Sequence, residues 1–197
     1  MVAVAGGKGG VGKTTVAVNL ELALRRTGRN VALYDADLQG PDAHRMLGFR
    51  TQEARWPLML GDREKGFGLM PLTPTGGEPY IEPKRRFGIV FMSVGLWFPD
   101  RQTIKEHGPT GGALILQTLQ DVKWRSDGQS PAIDVLVVDL PPGTGEPQQT
   151  LISKVAFDGV LLITTPHDFS LLDTNRSAGL FSESGPGCLA PSRTWAT

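Results

Sequence analysis

The chain has almost no cysteine: one thiol, Cys188, in 197 residues. A lone thiol excludes an intramolecular disulfide framework and suits a reducing compartment. Net charge is missing as well, with 20 Lys and Arg against 20 Asp and Glu. The electrostatic signature of a nucleic-acid-binding surface is therefore not there. Arg25, Arg26 and Arg29, and the run Lys84-Arg85-Arg86, read as solvated faces rather than polyanion sites. No apolar run approaches the roughly 18 residues that a membrane-crossing helix needs, so no membrane insertion is expected. The first residues lead straight into a strand and a glycine-rich loop, with no signal or transit peptide, and a soluble intracellular protein is the expectation.

Glycine, by contrast, is abundant at 25 residues, and its densest stretch is 6–15. Gly7, Gly12, Lys13 and Thr14 fit the G-x-x-x-x-G-K-[ST] phosphate-binding loop. Glycines let several backbone N–H groups converge on one phosphate chain. Gly7, Lys8, Gly9, Gly10, Val11, Gly12, Lys13, Thr14 and Thr15 are thus candidate nucleotide contacts. Lys13 would meet the β- and γ-phosphates, and the Thr14 hydroxyl would bind Mg²⁺. The context agrees: residues 2–5 read as a short buried strand. Val16, Ala17, Leu20, Ala23 and Leu24 then recur at helical spacing, and that helix points its positive dipole end at the phosphates.

Further along, residues 30–35 form an apolar run that ends in Asp35-Ala36-Asp37. Carboxylates at the carboxyl end of a parallel strand sit where nucleotide chemistry happens. One can hold Mg²⁺ directly or through water, and another can orient an attacking water. A plain turn with helix-capping acids is the alternative. Residues 51–86 are broken by prolines and glycines; 68–72 could be a short strand, 87–96 is a better one, and together they suggest a hairpin-like excursion. A helix is expected from about residue 109 to 123, after a loop that contains His107. Residues 133–140 form a continuous apolar strand that delivers Asp139, a Walker-B-like pattern in which one carboxylate serves the Mg²⁺ water shell. Residues 141–146 follow with two prolines and two glycines, which suits a segment with two fixed conformations. A helix over 147–157, a strand over 159–165 and a helix over 170–181 complete the pattern. These alternations give an α/β fold with a doubly wound, mostly parallel sheet, in which the first strand is central beside the strand ending at Asp139.

Residues 8–14, with a second lysine inside the loop, resemble the deviant phosphate-loop ATPases, the superclass of the nitrogenase iron protein and the ParA and MinD partition ATPases. The resemblance implies a P-loop NTPase fold and an ATP-dependent homodimer in which Lys8 reaches the partner's nucleotide. Asp35-Ala36-Asp37 with Gly40-Pro41, taken with residues 141–146, resembles the Mrp family of iron–sulfur cluster carrier ATPases. That family includes the mitochondrial branch serving respiratory complex I assembly. The likeness implies that Asp37 is the switch aspartate near the attacking water, that Asp35 supports the site, and that Mg²⁺ is held among Thr14, Asp35, Asp37 and Asp139. It also implies ATP and [4Fe–4S] as cofactor and cargo, and iron–sulfur apoproteins as recipients. Asp42 and Glu146 depart from the family's usual residues, and the loop at 106–109 lacks its arginine.

The resemblance covers residues 2–181. Residues 182–197 show neither helical nor strand period and read as an irregular, non-homologous tail. Cys188 matches no cluster-ligand spacing, so no iron–sulfur ligand is identifiable. The expectation is a truncated or alternatively read version of a longer carrier, incomplete at its C-terminal side, in the cytoplasm or in the mitochondrial matrix with its presequence missing. Three functions follow: an ATPase of iron–sulfur cluster assembly, a ParA- or MinD-like positioning ATPase, and a nucleotide-binding fragment without turnover.

Overall fold

The computed structural model describes residues 1–49, 80–96, 109–125, 132–184 and 188–193. In chain order the elements are β1 (Val2–Ala5), α1 (Lys13–Arg26), β2 (Val31–Asp35), α2 (Ala43–Met46), β3 (Lys84–Arg86) and β4 (Ile89–Ser93), then a 3₁₀ turn (Val94–Leu96). They continue with α3 (Pro109–Asp121), β5 (Val135–Asp139), α4 (Glu146–Lys154), β6 (Gly159–Thr164), α5 (Asp168–Ser184) and β7 (Cys188–Arg193). One seven-stranded sheet runs in the order β3-β4-β2-β5-β1-β6-β7. All pairings are parallel except β3 with β4. The expected central place of β1, beside the strand that ends at Asp139, is what the sheet shows.

The inner strands read as near-continuous apolar runs because helices cover both faces of a parallel sheet. Every residue of β2 and β4 is buried. Leu33, Tyr34, Phe91, Val137, Val138 and Ile163 form the middle of the core. Tyr34 buries its ring there and donates its hydroxyl hydrogen to the Ile115 carbonyl on α3 at 2.9 Å, so its polar end is satisfied. On α1 the buried stripe is Ala17, Val18 and Glu21; Ala23, expected on the apolar face, is exposed.

Parallel pairing places the carboxyl ends of the strands on one edge. Asp35 pairs in register with Ser93 on one side and Asp139 on the other, and Val4 pairs with Asp139. Four chain segments therefore leave the sheet together, which is where open α/β sheets bind ligands.

Both edges of the sheet hold strands that the sequence pattern did not mark. The hairpin beside β4 is formed by Lys84–Arg86, the run taken for a solvated charge cluster, through a turn at Phe87 and Gly88. Both descriptions hold at once, because Arg85 and Arg86 are exposed on an edge strand. The strand considered at 68–72, and His107, lie outside the described residues. At the other edge, α5 continues through Ser184, and Cys188–Arg193 pairs with β6 with a register shift between Val160 and Leu161. The stretch is not irregular throughout. Ladder pairing is a backbone property, and an edge strand needs neither apolar alternation nor an N–H at every residue, so Pro191 is tolerated.

Candidate nucleotide site

The phosphate loop is residues 6–12, between β1 and α1. Gly10 and Gly12 have φ of +78° and +93°, in the left-handed region where a Cβ is costly. Gly12 also caps α1 without any side-chain cap bond, so the first N–H groups of the helix are left for a ligand. Gly7 is required for a different reason: a Cβ there would run into the backbone of Asp173 on α5. Lys13 is 6% exposed, and its stem folds back over Gly6, where a Cβ would stand 3.2 Å from its Cδ. Lys8 is exposed on the loop.

Asp35 is fully buried and holds its surroundings together. Its Oδ2 accepts from the Ser93 hydroxyl at 2.9 Å and the Ala43 amide at 3.2 Å, and its Oδ1 from the Asp37 amide at 3.2 Å. Burial holds its carboxyl well above the usual range, and the Asp139 and Asp37 charges add to that. Asp37 begins a tight turn, its Oδ1 accepting from the Gln39 and Gly40 amides at 3.0 and 3.1 Å.

Asp139 is different. It is 0% exposed, and neither oxygen makes a hydrogen bond of good geometry. Burial raises its carboxyl to about 6, against the pull of the neighbouring Thr14 hydroxyl and Lys13 ammonium. The Thr14 hydroxyl and the Lys13 ammonium do not offset the burial of this carboxylate, and such sites ask for a cation. Thr14 and Asp139 fit Mg²⁺, which takes one or two protein oxygens and fills its other positions with phosphate oxygens and water. Among the described residues no group of three or more His, Cys, Asp or Glu could hold a metal ion.

The segment after Asp139 is tied to the loop. The Gly143 amide donates to the Gly6 carbonyl at 3.3 Å, with Gly143 at φ +84°. Glu146 then opens α4 and accepts from the Thr150 hydroxyl at 2.7 Å. Helix α3 packs closely here: a Cβ on Gly112 would meet Thr150 Oγ1 at 2.6 Å and Glu146 Oε1 at 2.8 Å. Residues 140–146 thus lead into a helix, α4, that lies in close contact with α3.

Residues 1–189 match the family described as ParA, NUBPL iron-transfer P-loop NTPase. The chain belongs to that family. Among its relatives, an iron-sulfur cluster carrier protein of Synechocystis is 38% identical over 96% of this chain and 47% of the relative's length. Proteins of the same name from Pyrococcus horikoshii and Escherichia coli K12 are 36% and 34% identical, over 92% and 93% of this chain and 57% and 43% of theirs. The chain thus spans about half the length of the curated relatives it matches. Among solved structures, an ADP-bound nucleotide-binding protein from Archaeoglobus fulgidus superimposes with a TM-score of 0.68 at 24% identity, covering 95% of this chain and 63% of that one. The septum site-determining protein MinD of P. horikoshii, with Mg-ADP, gives 0.60 at 21% identity, covering 95% and 67%. At these identities the structural likeness establishes the P-loop fold alone.

Lys13 and Thr14 come together with Asp139, the Asp37 amide donates to Asp35, and Lys8 is exposed. The partners that sequence reasoning did not assign are Ser93 on Asp35 and the Asp173 backbone on Gly7. Ser93 lies in the stretch read as a strand over 87–96, but its role depends on strand register, which only the sheet reveals. The family match runs past residue 181, where the sequence likeness seemed to end. Among the described residues no helix is long and apolar enough to cross a membrane.

Proposed function

We propose that the chain is the ATP-binding and ATP-hydrolysing domain of an iron–sulfur cluster carrier that acts in the assembly of [4Fe–4S] proteins. The observation that supports this most is the buried Asp139 carboxylate beside Lys13 and Thr14, in a chain of an iron-transfer NTPase family. Loop amides from Gly7, Gly9, Gly10, Val11 and Gly12, with Lys8, Thr14 and Thr15, surround the phosphates, and the Lys13 ammonium neutralises the β- and γ-oxygens. Thr14 and Asp139 would hold Mg²⁺, with Asp35 and Asp37 behind it. The metal, when bound, offsets charge building on the phosphates. Asp37 orients the attacking water and accepts its proton, while Asp35 fixes the turn that carries Asp37.

Lys8 acts on the nucleotide of a second copy, which makes the working unit a homodimer. The cluster is cargo, passed to recipient apoproteins, and the setting is the cytoplasm, as the bacterial and archaeal relatives favour. The fold shared with MinD does not by itself favour a positioning ATPase.

The test joins two measurements on one sample: ATP turnover with a Lys13→Ala control, and anaerobic iron–sulfur reconstitution read by absorbance and iron content. Turnover that the control abolishes supports the ATPase. Nucleotide binding without turnover makes this a binding domain only. A cluster that survives desalting supports the cargo role, and its loss in Cys188→Ser would make Cys188 a ligand.

A further inference from the structure

The opposite end of the sheet carries a feature that the nucleotide chemistry does not use. Phe87 is 63% exposed at the tip of the β3–β4 hairpin, with φ +52°, followed by Gly88 at +75°. Two residues at positive φ make a type I′ turn, whose first place favours Asn, Asp or Gly. Phe87 is the non-glycine residue at positive φ among those described. An aromatic ring there gains little from burial and strains the backbone, which points to use rather than folding.

Arginines surround it. The Arg86 guanidinium stacks over the Phe87 ring at 5.3 Å and the Phe49 ring at 5.5 Å and donates to the Gly48 carbonyl. Arg25, from the last turn of α1, lies across Gly88, where a Cβ would stand 2.5 Å from its Nε, and donates to the Arg29 carbonyl at 3.3 Å. Arg26 and Arg29 are exposed beside it. Among the described residues no ion pair joins Arg25, Arg26, Arg29 or Arg86 to a carboxylate. Asp134, which reaches this end of the sheet, accepts from the Asn30 amide at 2.8 Å. The α1 dipole explains basic residues in its last turn. It does not explain an exposed, strained phenylalanine between them.

We propose that this patch, built from the end of α1 and the β3–β4 turn, docks an acidic peptide segment of a partner protein, with an apolar side chain of that segment against Phe87. Guanidinium forks match carboxylates bidentately, and stacking on the two rings holds Arg86 in place beforehand. Among the described residues the charges of the patch are arginines, in a chain of zero net charge. A nucleic-acid or lipid surface calls for a broader basic field.

The test uses a fluorescein-labelled, glutamate-rich dodecapeptide carrying one leucine, read by anisotropy on nucleotide-free protein. Failure of the ATPase reading therefore leaves the result intact. Saturable, salt-sensitive binding is expected, weakened about tenfold or more in an Arg25→Gln, Arg29→Gln double variant. Phe87→Gly should also weaken binding while raising the melting temperature, because it relieves the turn; a ring kept for folding would do neither. Undiminished peptide binding by Phe87→Gly overturns the proposal. So does preferential capture of phosphatidylserine vesicles or duplex DNA through the same arginines.

Discussion

Asp35 and Asp139 stand side by side at the carboxyl ends of adjacent parallel strands, paired in register, and both are wholly buried. Only one of them has its oxygens satisfied. Asp35 collects a hydroxyl and two amides, whereas Asp139 collects nothing of good geometry. Two like charges at this spacing hinder each other's ionisation, so the fold keeps the pair at a cost that a bound cation would remove. The asymmetry is one of partners: Asp35 is bonded into the protein through both oxygens, and Asp139 is not.

Asp139→Asn should therefore separate binding from turnover. Mg²⁺-dependent ATP hydrolysis falls by about 10²-fold or more, because the side chain beside Thr14 no longer draws a cation. Metal-free nucleotide still binds through the loop amides and Lys13. The metal-free variant also melts higher than the parent, since burial of the carboxyl costs more than its Thr14 and Lys13 neighbours return. Hydrolysis rates and melting curves with and without Mg²⁺ check both halves, and unchanged Mg²⁺ dependence would remove Asp139 from the site.

Glu21 makes a pH-dependent prediction away from the nucleotide. It is buried on α1, its Oε1 accepts from the Val137 amide at 3.2 Å, and its Oε2 has no partner. Burial raises its carboxyl from 4.5 to about 8, against the amide bond. A folded-state value above the unfolded one means that the native state holds the proton more tightly. The stabilisation is complete below 4.5 and is lost as pH rises through about 8. Glu21→Gln removes this slope, and at pH above 8 it should be more stable than the parent by a few kcal/mol, on the order of 1.4 kcal/mol per pKa unit. Urea midpoints at pH 5 and 8.5 decide it; parallel pH profiles for the two proteins would contradict the burial argument.

The glycines of the loop are not equivalent. A Cβ on Gly7 meets the Asp173 backbone, which cannot give way cheaply, whereas nothing lies within 4 Å of a Cβ on Gly9. Gly7→Ala should cost about 1–3 kcal/mol and loosen the start of α5. Gly9→Ala should leave folding stability within about 0.5 kcal/mol. Chemical denaturation of both variants, without nucleotide, checks the contrast.

Which features could be read in advance follows from how local they are. Residues 31–35, 135–139 and 159–164 were legible because a doubly covered parallel strand must be apolar throughout. The phosphate loop was legible because glycine, lysine and threonine are needed at fixed spacing. The strand at 84–86 was not: three charged residues on a sheet edge carry no burial pattern, and the turn that creates the hairpin uses Phe87 against its preference. The strand at 188–193 was missed because backbone pairing with β6 leaves no mark on composition. The Asp35–Ser93 bond depends on register between segments 58 residues apart. Nothing in the sequence marks Glu21, because its burial depends on which face of α1 meets the sheet.

Lys8 carries the last prediction. It is exposed on the loop while Lys13 is buried, so the two lysines should fail differently. Lys13→Ala loses phosphate charge within one copy and should abolish ATP binding. Lys8→Ala should still bind ATP but lose turnover, if its target is the nucleotide of a second copy. Mixing then decides between copies. A Lys8→Ala subunit keeps Asp37, and an Asp37→Ala subunit keeps Lys8, so their heterodimer has one complete site in two. Two inactive variants, combined in equal amounts, should recover roughly a quarter of parental turnover if subunits exchange freely and the interface is two-fold. Subunit exchange, followed by fluorescence transfer between labelled copies, is measured in the same samples. Exchange without recovery would place Lys8 on the nucleotide of its own chain.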